Sequence, residues 1–234
     1  MSEAADFDAA RAETVRYHRE FYASADIGTP GSWLAKPHRL VLDALDLVDQ
    51  TRPVIAYDLG AGVGRHTIPI VERVHSGSTV IAVDLLPDAL ERLKSHLPAS
   101  PQIEVQTVAA DLADYQFDEP ADLVVAFSAI EHLPDLDTIA ALLARIARAT
   151  APGGVVAIGI IGDRREVTTD GEERPALLES GITSDQASAL LSGAFTDFTV
   201  MQQWSAPATV KERRDGQEYV LTSTLVTFLA QRPA

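Results

Sequence analysis

Val54-Ile55-Ala56-Tyr57-Asp58-Leu59-Gly60-Ala61-Gly62-Val63-Gly64-Arg65 joins a short apolar strand to a glycine turn that opens a helix. A glycine loop at the carboxyl end of a strand lets backbone N–H groups approach a ligand closely. A second apolar run, Val80-Ile81-Ala82-Val83, ends in Asp84. An acid roughly 20 residues past such a loop accepts hydrogen bonds from a ribose diol. The two runs together predict a pocket shaped for a nucleoside.

Working outward, helix-like and strand-like patterns alternate. Helices are expected over 6–22 and 37–48, separated by the turn-forming Ile27-Gly28-Thr29-Pro30-Gly31-Ser32. Strands are expected at 54–59, 79–84, 102–108, 121–127 and 155–161, with helices at 65–74, 87–97 and 136–149 between them. A helix near 184–193 and strands near 198–205 and 219–230 follow. Alternation of this kind implies a parallel sheet with helices on both faces. Gly162 to Pro175, rich in Asp, Glu, Arg and Thr, reads as an exposed loop able to cover the pocket. The whole chain, 1–234, reads as one domain: a helical amino-terminal cap over 1–50, a cofactor-binding core over 51–162, and a substrate-side loop, helix and strands over 163–234.

Composition removes several function classes. The formal charge of −15, from 19 Lys and Arg against 34 Asp and Glu, repels nucleic-acid phosphates and predicts a small-molecule partner. Apolar runs are far shorter than the ~20 residues of a membrane span, and the first residues are acidic, so a cytoplasmic location without membrane partners is expected. The absence of cysteine removes disulfides, thiolate catalysis and cysteine-ligated metals. Oligomeric state has no signature in the sequence.

The glycine spacing is Asp-x-Gly-x-Gly-x-Gly, with Arg65 where the dinucleotide fingerprint requires its third glycine. Asp58, two residues before the first glycine, would repel a pyrophosphate and suits a cationic ligand such as S-adenosylmethionine, which bears an ammonium and a sulfonium. With Asp84 and the later Asp111, the pattern resembles the class I S-adenosylmethionine-dependent methyltransferases from about Val54 to Gly154. That resemblance implies a Rossmann-like, doubly wound, mostly parallel α/β sheet of seven strands in the order 3-2-1-4-5-7-6, closed by a carboxyl-terminal antiparallel hairpin. It also implies that Gly60 and Gly62 pass the backbone under the methionine part, that Asp58 orients its amino group, that Asp84 takes the ribose hydroxyls and Asp111-Leu112 the adenine edge, and that Leu59, Ala61, Gly64, Arg65, Leu85, Phe127 and Ser128 also belong to the cofactor site. S-adenosylhomocysteine would be the product. Within the superfamily the chain looks like the tellurite-resistance methyltransferases. Their His-Arg pair, however, falls here at Val210 and Lys211, and their later arginine at Glu218, so oxyanion chemistry is not carried over.

Glu131-His132-Leu133-Pro134 follows the fourth strand at the pocket mouth, and His132 is the candidate general base. Ser128 stands where a metal-binding relative would need a carboxylate, so no metal is expected. Tyr17, Tyr22 and Trp33 are candidates for an aromatic lid over a cation, and Arg164 and Lys211 for contacts to an anionic substrate. The expected reaction is an in-line methyl transfer to a small molecule. The alternatives are an NAD-dependent oxidoreductase on the same fold and a cofactor-binding protein without turnover.

Overall fold

The computed structural model describes residues 3–98, 102–174, 179–214 and 217–234. The elements in chain order are α1 (Glu3–Ser24), α2 (Arg39–Leu47), β1 (Ile55–Leu59), α3 (Thr67–Arg73), β2 (Thr79–Asp84), α4 (Pro87–His96), β3 (Glu104–Ala109), β4 (Ala121–Phe127), α5 (Leu136–Ala149), β5 (Thr150–Thr168), β6 (Glu173–Arg174), α6 (Ser184–Ala194), β7 (Thr199–Arg214) and β8 (Gln217–Gln231). Single 3₁₀ turns lie at Trp33–Ala35 and Ile130–His132. The main sheet runs β3-β2-β1-β4-β5-β8-β7, the expected order, with the two-residue β6 added beside β5. Strands β1 to β5 pair in parallel, and β5–β8 and β8–β7 are antiparallel.

Strand alternation divides the core into two layers. Tyr57, Leu59, Ile81, Val83, Val124 and Ala126 face Ile139, Leu142, Leu143 and Ile146 of α5 and Leu191 of α6. Ala56, Val80, Leu123 and Val125 face Leu40, Val41 and Leu45 of α2 and Ile70 of α3. Burial on both sides explains why these strands are almost continuously apolar. The helices are well started: Asp135 accepts from Thr138 N (2.6 Å) at α5, and Thr183 with Gln186 forms a capping box at α6.

One expectation is overturned. The segment from Gly162 is not an exposed loop, because β5 continues to Thr168 against β8, with Arg165 opposite Thr222 and Thr168 opposite Tyr219. Val167 then faces Glu173 in the return strand. The charged residues that read as a loop belong to a ribbon reaching past the parallel sheet, where strands tolerate polar side chains on their wetted faces. Residues 175–178 of that segment lie outside the described residues. The hairpin strands are likewise longer than the sequence implied, β7 running on to Arg214 and β8 starting at Gln217. Helix α3 starts at Thr67 rather than Arg65, which frees Arg65 from helical geometry.

Candidate active site

Two adjoining cavities of about 200 and 110 Å³ open at the carboxyl ends of the parallel strands. Both are walled by Thr14, His18, Tyr22, Gly60, Ser128 and His132, so they form two compartments of one site. The smaller compartment holds Asp84, Leu85, Asp111 and Leu112. The larger holds Tyr17, Trp33, Arg65, Phe127, Glu131 and Arg164.

The glycine loop is built by its backbone. Gly60 and Gly62 have φ of 77° and 51°, in the left-handed region that favours glycine. A Cβ on Gly60 would collide with that of Ala129, and one on Gly62 would stand 2.5 Å from the Tyr22 hydroxyl oxygen. The loop is fixed by Asp84, whose Oδ2 accepts from Gly62 N and whose Oδ1 accepts from Leu86 N, each at 2.8 Å. Burial raises the Asp84 carboxyl above its usual range, against those hydrogen bonds.

Asp58 points to the other side of the strand from Tyr57 and Leu59. Its Oδ2 accepts from the Thr67 hydroxyl at 2.6 Å, while its buried Oδ1 has no hydrogen-bond partner. Burial, offset in part by Thr67, pushes this carboxyl up to about 7. An orphaned acid under the glycine turn is the group an ammonium would complete. Asp111 accepts from Ala113 N (3.0 Å), a turn-capping bond, and pairs with Arg11 of α1 at 2.5 Å. It thus performs the local capping role and walls the small compartment at once.

Helix α1 lies across the strand ends. Its Arg11, Thr14, His18 and Tyr22, spaced 3 or 4 apart, form one stripe facing the site. Of these only Tyr22 was legible beforehand; a polar stripe on a helix reads as solvated until something is known to face it. Tyr17 and Trp33 line the larger compartment while packing on the rings of the same helix: Phe21 stacks on Tyr17 at 5.9 Å and on Trp33 at 4.9 Å. Arg65 donates through Nε to Lys36 O (2.7 Å), and its guanidinium lies 5.8 and 5.9 Å from the Trp33 and Phe127 ring centroids. Burial without a carboxylate partner lowers it to about 10. Phe127 in turn packs 4.3 Å from the His38 ring, in space that exists because position 159 is glycine.

Ser128 sits at φ 54° and donates its N–H to Gly159 O at 2.8 Å, turning the chain out of β4 toward the site. His132 follows, and its Nδ1 lies 3.2 Å from Glu179 Oε1. Glu179, missed by the sequence reading, comes from the segment before α6 and has a fully shielded side chain. Arg164 Nη1 approaches its other oxygen at 3.8 Å. Arg164 reaches the site through a bulge: β5 and β8 shift register between Gly162 and Arg165, and Asp163 takes φ 53°. Bulges of this kind re-aim side chains.

Not every candidate reaches the cavities. Leu59 is core, and Gly64 packs its backbone on Leu93 and Ile68. Lys211 is exposed and absent from both walls, whereas Ala208 and Val210 line the larger one. Strand alternation turns Lys211 to the other face of β7, so its substrate role is withdrawn. Among the described residues no group of three or more acidic or histidine side chains is set to hold a metal. No described helix is long and apolar enough to cross a membrane.

This sheet order, glycine turn and pair of strand-end acids define a class I S-adenosylmethionine-dependent methyltransferase fold, and residues 56–154 match the family described as "Methyltransferase domain". That match runs from β1 into β5. It is 32% identical over 120 residues to a trans-aconitate 2-methyltransferase of Methylobacterium nodulans, a match covering 51% of this chain and 43% of that protein. The chain thus spans less than half the length of that relative. Its fold is similar to that of TehB from Haemophilus influenzae (TM-score 0.62, 17% identity, 92% of this chain and 67% of that one). It is also similar to that of the N-methyltransferase NodS from Bradyrhizobium japonicum in complex with S-adenosyl-L-homocysteine (TM-score 0.57, 13% identity, 93% and 99%).

Proposed function

We propose that this chain is an S-adenosylmethionine-dependent methyltransferase acting on a small molecule. The observation that carries the reading is the joining of an acid-walled compartment to a second one through the Gly60 turn. In support, Asp84 and Asp111 wall the smaller compartment and offer acceptors that a ribose and an adenine edge would use, and the unpaired Asp58 Oδ1 suits an ammonium. When bound, the cofactor supplies an electrophilic methyl group.

The chain's residues then have little covalent chemistry to perform. Tyr22 and the Gly60–Gly62 backbone close over the join, the Tyr17, Trp33 and Phe127 rings exclude water, and the larger compartment holds the acceptor in line. The relative named as a trans-aconitate 2-methyltransferase supports a small acceptor, and the formal charge of −15 disfavours a nucleic-acid substrate. Calorimetry with S-adenosylhomocysteine and with NADH tests the assignment: binding of the first and not the second is expected. Binding of NADH alone, or of neither at millimolar concentration, overturns it.

A further inference from the structure

In a chain of formal charge −15, the larger compartment nevertheless carries Arg65, Arg164 and His132 on its wall. Glu179 is a single carboxylate shared by two cationic groups, His132 at 3.2 Å and Arg164 at 3.8 Å. The Arg164 Nε is buried with no hydrogen-bond partner. Arg65, on the same wall, has no carboxylate partner among the described residues.

The groups that face His132 come from every element around it. Glu179 accepts its Nδ1 proton, Arg164 reaches in from β5, and Asp84 lies at the end of β2. Glu131, its neighbour in the 3₁₀ turn, is buried with both carboxyl oxygens unpartnered, and burial drives it toward the neutral form. His18 of α1 lies 5.8 Å away edge-on. It donates through Nδ1 to Thr14 O (2.9 Å), and burial and then His132 hold it neutral, down to about 4. Glu13 also faces the cavity but is engaged by Arg16 at 2.7 Å. Burial alone would strip His132 of its proton, yet the Glu179 hydrogen bond and charge outweigh it and the group is raised. Burial would likewise raise Glu179, yet His132 brings it down to about 2. An imidazolium has no lone pair with which to take a proton.

Resting on the methyltransferase reading, we propose that Glu179 is a positioning residue that keeps His132 as an imidazolium, and that this cation and Arg164 bind a carboxylate of the acceptor, so that the transfer uses no general base. A carboxylate matches the planar fork of a guanidinium and is already a nucleophile at neutral pH. In the reaction one carboxylate oxygen forms a bond to the methyl carbon as that carbon's bond to sulfur breaks. The bonding pair stays on sulfur, the anion and the sulfonium neutralise one another, a methyl ester results, and no proton is released.

Two measurements test this. Nitrogen-edited NMR titration of the free protein should show His132 losing its second proton above its ordinary value of about 6.5, and at distinctly lower pH in Glu179→Gln. A wild-type His132 that titrates at or below its ordinary value of about 6.5 overturns the proposal. Independently, calorimetry on protein saturated with S-adenosylhomocysteine should show binding of tricarballylate but not of its triamide, weakened about tenfold or more in Arg164→Gln. Radiolabelled transfer should yield base-labile ester, with kcat/KM falling as pH rises through the His132 titration. Methylation of a phenol, amine or phosphate monoester instead, or activity that rises with pH through that titration, refutes it. Failure to bind S-adenosylhomocysteine strikes the methyltransferase reading, while the NMR result still decides the state of His132.

Discussion

Asp84 and Asp58 are both acids at the ends of adjacent strands, yet their surroundings give them different work. Asp84 ties the loop and faces the small compartment, so each of its oxygens already holds one backbone N–H and retains a lone pair for a ligand hydroxyl. Asp84→Ala is expected to weaken S-adenosylhomocysteine binding by about 2 kcal/mol, roughly 30-fold in Kd by calorimetry. Asp58 is sealed beneath the turn with one oxygen unpaired. Its folded-state pKa, about 7, lies above the unfolded value of roughly 3.9. Its contribution to stability is therefore present below about pH 4 and is lost as pH rises through about 7, where the buried charge must be accommodated. Urea unfolding at pH 5 and pH 8 should show this loss in the wild type and a smaller loss in Asp58→Asn, by on the order of 2 kcal/mol. Equal losses in the two proteins would place the pH dependence elsewhere.

Among the elements, β5 has most to do with the site that the sequence did not disclose. Its parallel half is an ordinary buried strand, but the shift at Gly162–Arg165 carries Arg164 inward while Arg165 pairs across to Thr222. Asp163 holds that turn in a left-handed conformation and accepts from Ser184 N at 3.2 Å, linking the bulge to the start of α6. Asp163→Ala should cost about 1–2 kcal/mol in unfolding free energy. It should also lower kcat/KM for the acceptor while leaving S-adenosylhomocysteine affinity nearly unchanged, because Arg164 of the bulge lines the larger compartment and not the smaller. An equal loss in both would show that the bulge supports the whole site. Helix α1 is the second such element: its apolar residues were visible, but the stripe from Arg11 to Tyr22 acquires meaning only when the helix is laid over the strand ends.

At the scale of the molecule, the ligand is expected to join parts that are separate in sequence: α1, the Gly60 turn, the end of β2 and the segment carrying Glu179. Binding to the folded state alone stabilises it by about 2.7 kcal/mol at a ligand concentration of 100 Kd. For a chain of this length S-adenosylhomocysteine should accordingly raise Tm by roughly 5–10 °C. An unchanged Tm at such concentrations would contradict the cofactor site. The sequence by itself determined the alternation of strands and helices, the glycine turn and the strand-end acids, because hydrophobic period and left-handed backbone are local properties that each segment carries alone. It also marked His132 by its place after the fourth strand. Only the tertiary structure decided which charges meet. Glu179, Arg164 and His18 lie far apart in the chain, and their pairing depends on a bulge, a helix laid across strand ends and a segment returning from beyond β6. Lys211 fell on the outer face for the same reason: a strand's two-residue period fixes that neighbours oppose one another, but which of them points inward is set by the partner strand.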